Sequence, residues 1–205
     1  MKTKRAIPDT EQVRNEILDA AEQRLRTYGY GKTTMAEIAQ DVNMSAANLY
    51  RYFDNKLDIG AALAQRCFGT RHAVLQEVIN QPGQSAAEKL EAFILTVLRY
   101  THTQFSEAPK IDELVNIILS ERRELIDQKL ENDFRMIQQI LDYGVQAGEF
   151  RIDDMRTTTL AVQDAIVKFS VPIFMKMYPL AEFEQHARAV TGLLIRGLSA
   201  KHAQP

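Results

Sequence analysis

Residues 34–57, TMAEIAQDVNMSAANLYRYFDNKL, constrain this chain more than any other stretch. They read as two short helices joined by a tight turn. Thr34 is placed to N-cap the first, and Glu37 three positions later completes a capping box. Met35, Ile38, Ala39 and Val42 follow at i, i+3, i+4 and i+7, a one-sided apolar stripe. Asn43-Met44 interrupts the pattern, and Ser45 caps a second helix spanning 45–53. Leu49 and Phe53 give that helix a narrow inward face. Ala46, Ala47, Asn48, Tyr50 and Arg51 are left pointing outward. Small residues permit close approach to a surface, Asn can read adenine through a bidentate bond, and Tyr and Arg reach phosphates. Asn55 caps a third helix with Lys56 in its first turn. This is the way a helix-turn-helix offers its recognition helix to a major groove.

The rest of the sequence fits an all-α protein. Six prolines, nine glycines and no long β-type alternation among 205 residues leave helices as the main element. No apolar run approaches the roughly 18 residues that span a bilayer. The N-terminus lacks the apolar core of a signal peptide, and Cys67 has no intramolecular disulfide partner, so a cytoplasmic protein with no membrane association is expected. His72, His102, His186 and His202 have no ligand spacing, so no metal is expected. No nucleophile elbow, P-loop or dinucleotide fingerprint occurs, so neither an enzyme nor a cofactor is expected. The net charge of −2 does not itself suggest a nucleic-acid partner. Its placement is more telling: Lys2, Lys4 and Arg5 form a basic arm suited either to lying along phosphates or to solubilising the terminus.

Periodicity predicts helices over 10–28, 56–80, 85–104, 110–119, 122–147, 154–177 and 181–199, with Pro172 kinking the 154–177 segment. Residues 1–56 form an arm and a three-helix head, and 57–205 a larger helical domain. Glu121-Arg122-Arg123-Glu124 reads as a solvated face. Phe183, Ala187, Val190, Leu194 and Leu198 form a stripe on the last helix, beside Gly192 and Gly197. The stripe fits an ordinary buried helix or a seam with a second copy. Phe93, Val97, Tyr100, Thr101 and Gln104 share one side of the 85–104 helix. Ile118, Phe134, Gln138, Leu141 and Gln163 can converge with them, either as a small-molecule pocket or as an imperfect helical core.

Thr33-Thr34, Ile38-Ala39, Ser45, Leu49-Tyr50, Tyr52-Phe53 and Lys56 together resemble the DNA-binding domain of TetR-family transcriptional regulators. The resemblance covers roughly residues 10–65. Met35 and Ala46 depart from it, standing where many members carry polar or basic side chains. It implies an all-α fold: an N-terminal three-helix helix-turn-helix domain, then a larger helical ligand-binding and dimerisation domain. It also implies a homodimeric repressor released from a palindromic double-stranded operator by a small-molecule effector. Asn48, Ala46 and Ala47 would then face base edges. Thr33, Thr34, Tyr50, Tyr52 and Lys56 would hold phosphates, with Ser45 and Arg51 on the same surface. Phe183, Val190, Leu194 and Leu198 would form a four-helix dimer seam. The effector would be apolar or aromatic, bound among Phe93, Val97, Tyr100, Thr101, Gln104, Ile118, Phe134, Gln138 and Gln163. The rival reading keeps the DNA contacts but has no effector, leaving control to a protein partner or an architectural role.

Overall fold

Each of Thr34, Ser45, Ser85 and Asp154 starts a helix in the computed structural model of the protein, which describes residues 10–106, 108 and 110–200. The basic arm of Lys2, Lys4 and Arg5 lies outside the described residues. The helices are α1 (Thr10–Tyr28), α2 (Met35–Asp41), α3 (Ala46–Leu49), α4 (Lys56–Ile79) and α5 (Ala86–Phe105). They continue as α6 (Ile111–Glu121), α7 (Arg123–Gln146), α8 (Met155–Ala165) and α9 (Leu180–Leu198). No strand forms among the described residues; Phe150 and Ser199 make an isolated antiparallel bridge.

The ends of these helices follow from local chemistry. Gly29 (φ +88°) and Gly148 (φ +71°) take left-handed conformations that suit glycine, closing α1 and α7. Asn55 Oδ1 accepts from the Asp58 backbone N–H at 3.0 Å and so caps α4. Two expectations need correction. The segment 154–177 is not one kinked helix. Pro172 disfavours helical geometry at the residue before it, and Val171 is extended at φ −106°, ψ 123°. The helix stops at Ala165, and two short 3₁₀ turns, Val167–Phe169 and Pro172–Lys176, carry the chain to α9. The recognition segment is likewise regular only over Ala46–Leu49. Beyond it Arg51 N bonds Asn48 O and Tyr52 N bonds Leu49 O, a tightened i→i+3 pattern.

The chain divides into two compact units. The first takes the described residues within 1–66 and 109–123, the second those within 67–108 and 124–205. The first unit thus exceeds the 1–56 segment, because α6 packs into it through buried Ile111, Leu114 and Ile118. Gly60 makes room there: a Cβ at that position would stand 2.7 Å from Leu114 Cδ1. Arg122 pairs with Asp58 of α4, so the mixed-charge run 121–124 is not simply solvated. The division of function at residue 56 stays a proposal.

The second unit is built on α5 packed along α9. Leu90, Phe93, Ile94 and Leu98 join Met136, Ile137, Ile140 and Leu141 of α7 and Phe183 and Ala187 of α9 in one buried cluster. Phe169 meets Phe183 edge-on at 5.3 Å between centroids. Phe150 lies against Gly144 of α7, where a Cβ would come within 2.2 Å of the ring.

Candidate nucleic-acid interface

The head surface is fixed first by its caps. Glu37 N donates to Thr34 Oγ1 at 3.3 Å and Thr34 N donates to Glu37 Oε2 at 2.9 Å, closing the capping box. Bonding from the Thr34 hydroxyl, then from its backbone, holds the Glu37 carboxyl below its usual range. Asn43 supplies the turn from the left-handed region at φ 55°, and Met44 N reaches back to Ala39 O at 2.9 Å. Ser45 Oγ then accepts from Asn48 N at 3.2 Å to start α3. Ile38, Ala39, Leu49 and Phe53 are buried beneath the pair.

Two arginines of α1 brace it from behind. Arg24 makes a bidentate pair with Asp41 at 2.6 and 2.8 Å, and this bonding holds the Asp41 carboxyl below its usual range. Arg14 Nη1 donates to Tyr52 O at 2.6 Å, with its guanidinium 4.2 Å from the Phe53 ring centroid. Arg24 thus holds the end of α2 and Arg14 the end of the recognition segment, and what remains outward is available for a ligand.

Of the residues expected on this surface, Thr34, Ser45, Ala47, Tyr50 and Arg51 are exposed, and Ala46, Asn48 and Tyr52 are half-buried. The Asn48 amide uses one hydrogen on Met44 Sδ at 3.9 Å, a weak contact that a base edge would outcompete. Two residues are placed differently. Thr33 is 1% exposed and its hydroxyl donates to Gly29 O at 2.8 Å, satisfying a carbonyl at the end of α1. Lys56 turns its Nζ inward to Tyr30 O (2.5 Å) and Thr33 O (2.6 Å), 4.1 Å from the Tyr30 ring centroid. Burial draws this ammonium below the ordinary lysine value, partly offset by the charges of Glu113 and Glu37. Both side chains bond the loop between α1 and α2.

The residues expected around an effector are not gathered into one pocket. Phe93 and Val97 are filled core, and the Thr101 hydroxyl is spent on Val97 O at 2.8 Å. Ile118 belongs to the first unit, unlike the others. Tyr100 donates to Cys67 O at 3.0 Å and Gln163 to Leu130 O at 2.8 Å. Gln104 is half-buried. Phe134 lies 5.9 Å beneath the Arg156 guanidinium, and Gln138 edges a surface depression with Arg135 and Asp142. The stripe expected on α9 contributes to the unit's own core. Phe183 and Leu198 lie in the unit's own core, and Val190 and Leu194 pack partly against it. Exposed apolar residues of the last third of the chain include Leu193 (64%), Met177, Ile173, Val167 and Leu160.

Sequence reasoning missed a buried charged group in the second unit. Arg71 of α4 pairs with Asp133 of α7, which also accepts from Lys129. The i, i+4 spacing of Lys129 and Asp133 was a signal, but Arg71 is 62 positions away.

Residues 17–63 match the family described as bacterial regulatory proteins, tetR family, and residues 86–191 the tetracyclin repressor-like C-terminal domain. Over 61 residues the chain is 41% identical to the HTH-type transcriptional regulator YvkB of Bacillus subtilis (strain 168), a match spanning 30% of this chain and 32% of YvkB. Over 142 residues it is 26% identical to the HTH-type transcriptional repressor KstR2 of Rhodococcus jostii (strain RHA1), covering 68% of this chain and 69% of KstR2. A transcriptional regulator from Cytophaga hutchinsonii ATCC 33406 shares the fold with TM-score 0.74 and 19% identity, over 94% of this chain and 100% of that one. FadR from Bacillus subtilis, solved in complex with stearoyl-CoA, does so with TM-score 0.66 and 23% identity, over 90% and 98%. With a capped helix-turn-helix in the matched N-terminal segment and a helical unit in the matched C-terminal one, the chain belongs to the TetR family of transcriptional regulators.

Proposed function

We propose that the protein is a homodimeric repressor that leaves a palindromic operator when a small molecule occupies its second unit. The observation that carries the DNA reading is the outward row Ser45, Ala47, Tyr50 and Arg51, on a segment capped by Ser45 at its start and bonded by Arg14 at Tyr52. Two such segments related by two-fold symmetry would enter successive major grooves. Asn48, Ala46 and Ala47 face base edges; Thr34, Tyr50, Arg51 and Tyr52 lie toward phosphates. Exposed Leu193 of α9 and Leu160 of α8 lie in the seam between α8–α9 pairs. A shared fold with a protein solved in complex with stearoyl-CoA supports an effector of substantial apolar character. Helix α4, which contributes to both units, is the transmitting element.

Selection from random duplexes tests the DNA reading. It should return an inverted repeat, and Asn48→Ala should change preference at one position per half-site by about 1–3 kcal/mol. Asymmetric sites, or an unchanged preference in the variant, would refute the docking.

A further inference from the structure

The interior of the second unit holds more positive than negative charge. Arg71 donates from its two terminal nitrogens to both oxygens of Asp133, at 2.7 and 3.2 Å, and Lys129 Nζ donates to the same carboxylate at 2.9 Å. Arg71 and Asp133 are each 5% exposed, and the Lys129 side chain 13%. Two cations therefore share one carboxylate. No second acidic side chain among the described residues pairs with either of them. Arg71 Nε is buried with no acceptor among the described residues. A guanidinium carries five N–H groups and an ammonium three, more than Asp133 can accept. An uncompensated charge withdrawn from water is disfavoured unless something binds it. Burial, reinforced by the charge of Arg71, accordingly pushes the Lys129 ammonium below its ordinary value.

The cluster adjoins apolar core. Leu75 follows Arg71 by one turn of α4, and Met136 and Ile137 follow Asp133 by one turn of α7; all three belong to the buried cluster of the unit. Lys129 is the cluster's least buried member, so the charged end is the side from which a ligand would be met.

We propose that Arg71 and Lys129 form the head-group subsite for an effector that is a monocarboxylate with an apolar tail. This rests on reading the second unit as the effector domain. One negative charge cancels the surplus, and two carboxylate oxygens match the unused N–H groups of Arg71 and Lys129. A cationic ligand would add to the surplus, and a neutral one would leave it in place. An apolar tail would extend toward Leu75 and Met136 of the buried cluster. The class is thereby narrowed from apolar or aromatic molecules in general to anionic amphiphiles.

The test uses the full chain and four probes: acetate, octanoate, dodecanoate and dodecanol, each below its aggregation threshold. Calorimetric titration should show affinity rising from acetate to dodecanoate, with dodecanol at least tenfold weaker than dodecanoate. Lys129→Met keeps the aliphatic stem and leaves Arg71 and Asp133 as a neutral pair, so folding should survive. It should lose at least tenfold in dodecanoate affinity and nothing in dodecanol affinity. Equal binding of acid and alcohol, an unchanged Lys129→Met, or no binding by any of the carboxylates would each overturn the proposal. Acetate binding as tightly as dodecanoate would also overturn it, as a small-anion site only. Operator binding by the free protein is measured separately. If it is present while the carboxylates fail, this inference falls and the regulator reading stands; if it is absent while dodecanoate binds, the reverse holds.

Discussion

Replacing Lys56 separates two accounts of the same residue. The sequence offers it as a phosphate contact at the start of a helix; the structure turns it inward onto Tyr30 O and Thr33 O, over the Tyr30 ring. Lys56→Met retains most of the stem and removes the donors. A hydrogen bond from a charged donor contributes about 1.5–3 kcal/mol net, and the ring contact about 0.5–1 kcal/mol at a half-exposed site. Water can reclaim part of this at the loop, so a loss of about 2–4 kcal/mol is expected for the α1–α2 connection. Because the lost contacts are local, the readout should be local. Hydrogen exchange at the α2 and α3 amides should accelerate by about 30- to 1000-fold, at one decade per 1.4 kcal/mol.

DNA binding provides the discriminating measurement. A lysine that neutralises one phosphate contributes about 0.9 to the slope of log affinity against log salt. The inward geometry predicts that Lys56→Met leaves this slope unchanged while affinity falls in step with head stability. A slope lower by about one, with exchange rates unaltered, would refute the structural role and restore the phosphate contact.

Three further outcomes follow from the same geometry. Gly144→Ala drives a Cβ into the Phe150 ring, which is anchored in the core, and should cost about 1–3 kcal/mol as an overpacking change; a melting temperature equal to the parent's would count against the packing. Leu193→Glu should give monomers of unchanged helicity by sedimentation, since Leu193 is exposed and supports nothing within its own chain; a persistent dimer places the seam elsewhere. The Asp41 carboxyl, bonded by Arg24, titrates below its unfolded value. Its contribution is therefore complete above the ordinary carboxylate range and is lost as pH falls below about 4 through the lowered value. Arg24→Gln should flatten the acid limb of head stability, and an identical limb would remove Arg24 from the account.

What was legible in the sequence was local. Thr34 with Glu37, Ser45 ahead of Asn48 and Asn55 ahead of α4 act within a few positions of themselves, and each does as its spacing predicts. Capping and turn chemistry need no knowledge of the rest of the chain. The inward bonds of Lys56 were not legible because its partners, 23 and 26 positions back, are backbone carbonyls that every residue possesses. Their exposure depends on how Gly29 ends α1, and nothing in residue type announces it.

The stripes show the same limit from another side. A 3.6-residue period says that one face of a helix is buried without saying what buries it. On α9, Phe183, Ala187 and Leu198 satisfied the period of a seam, yet the side chains that cover them come from their own unit. The informative residue is Leu193, which lies beside the stripe and stays 64% exposed. Arg71 inverts the case, since a charge on an otherwise ordinary helix looks solvated until α7 brings Asp133 to it. Periodicity discounts both because it scores agreement with a face. A residue that disagrees with its face, an apolar one outside or a charged one inside, is where the fold has left room for something other than itself.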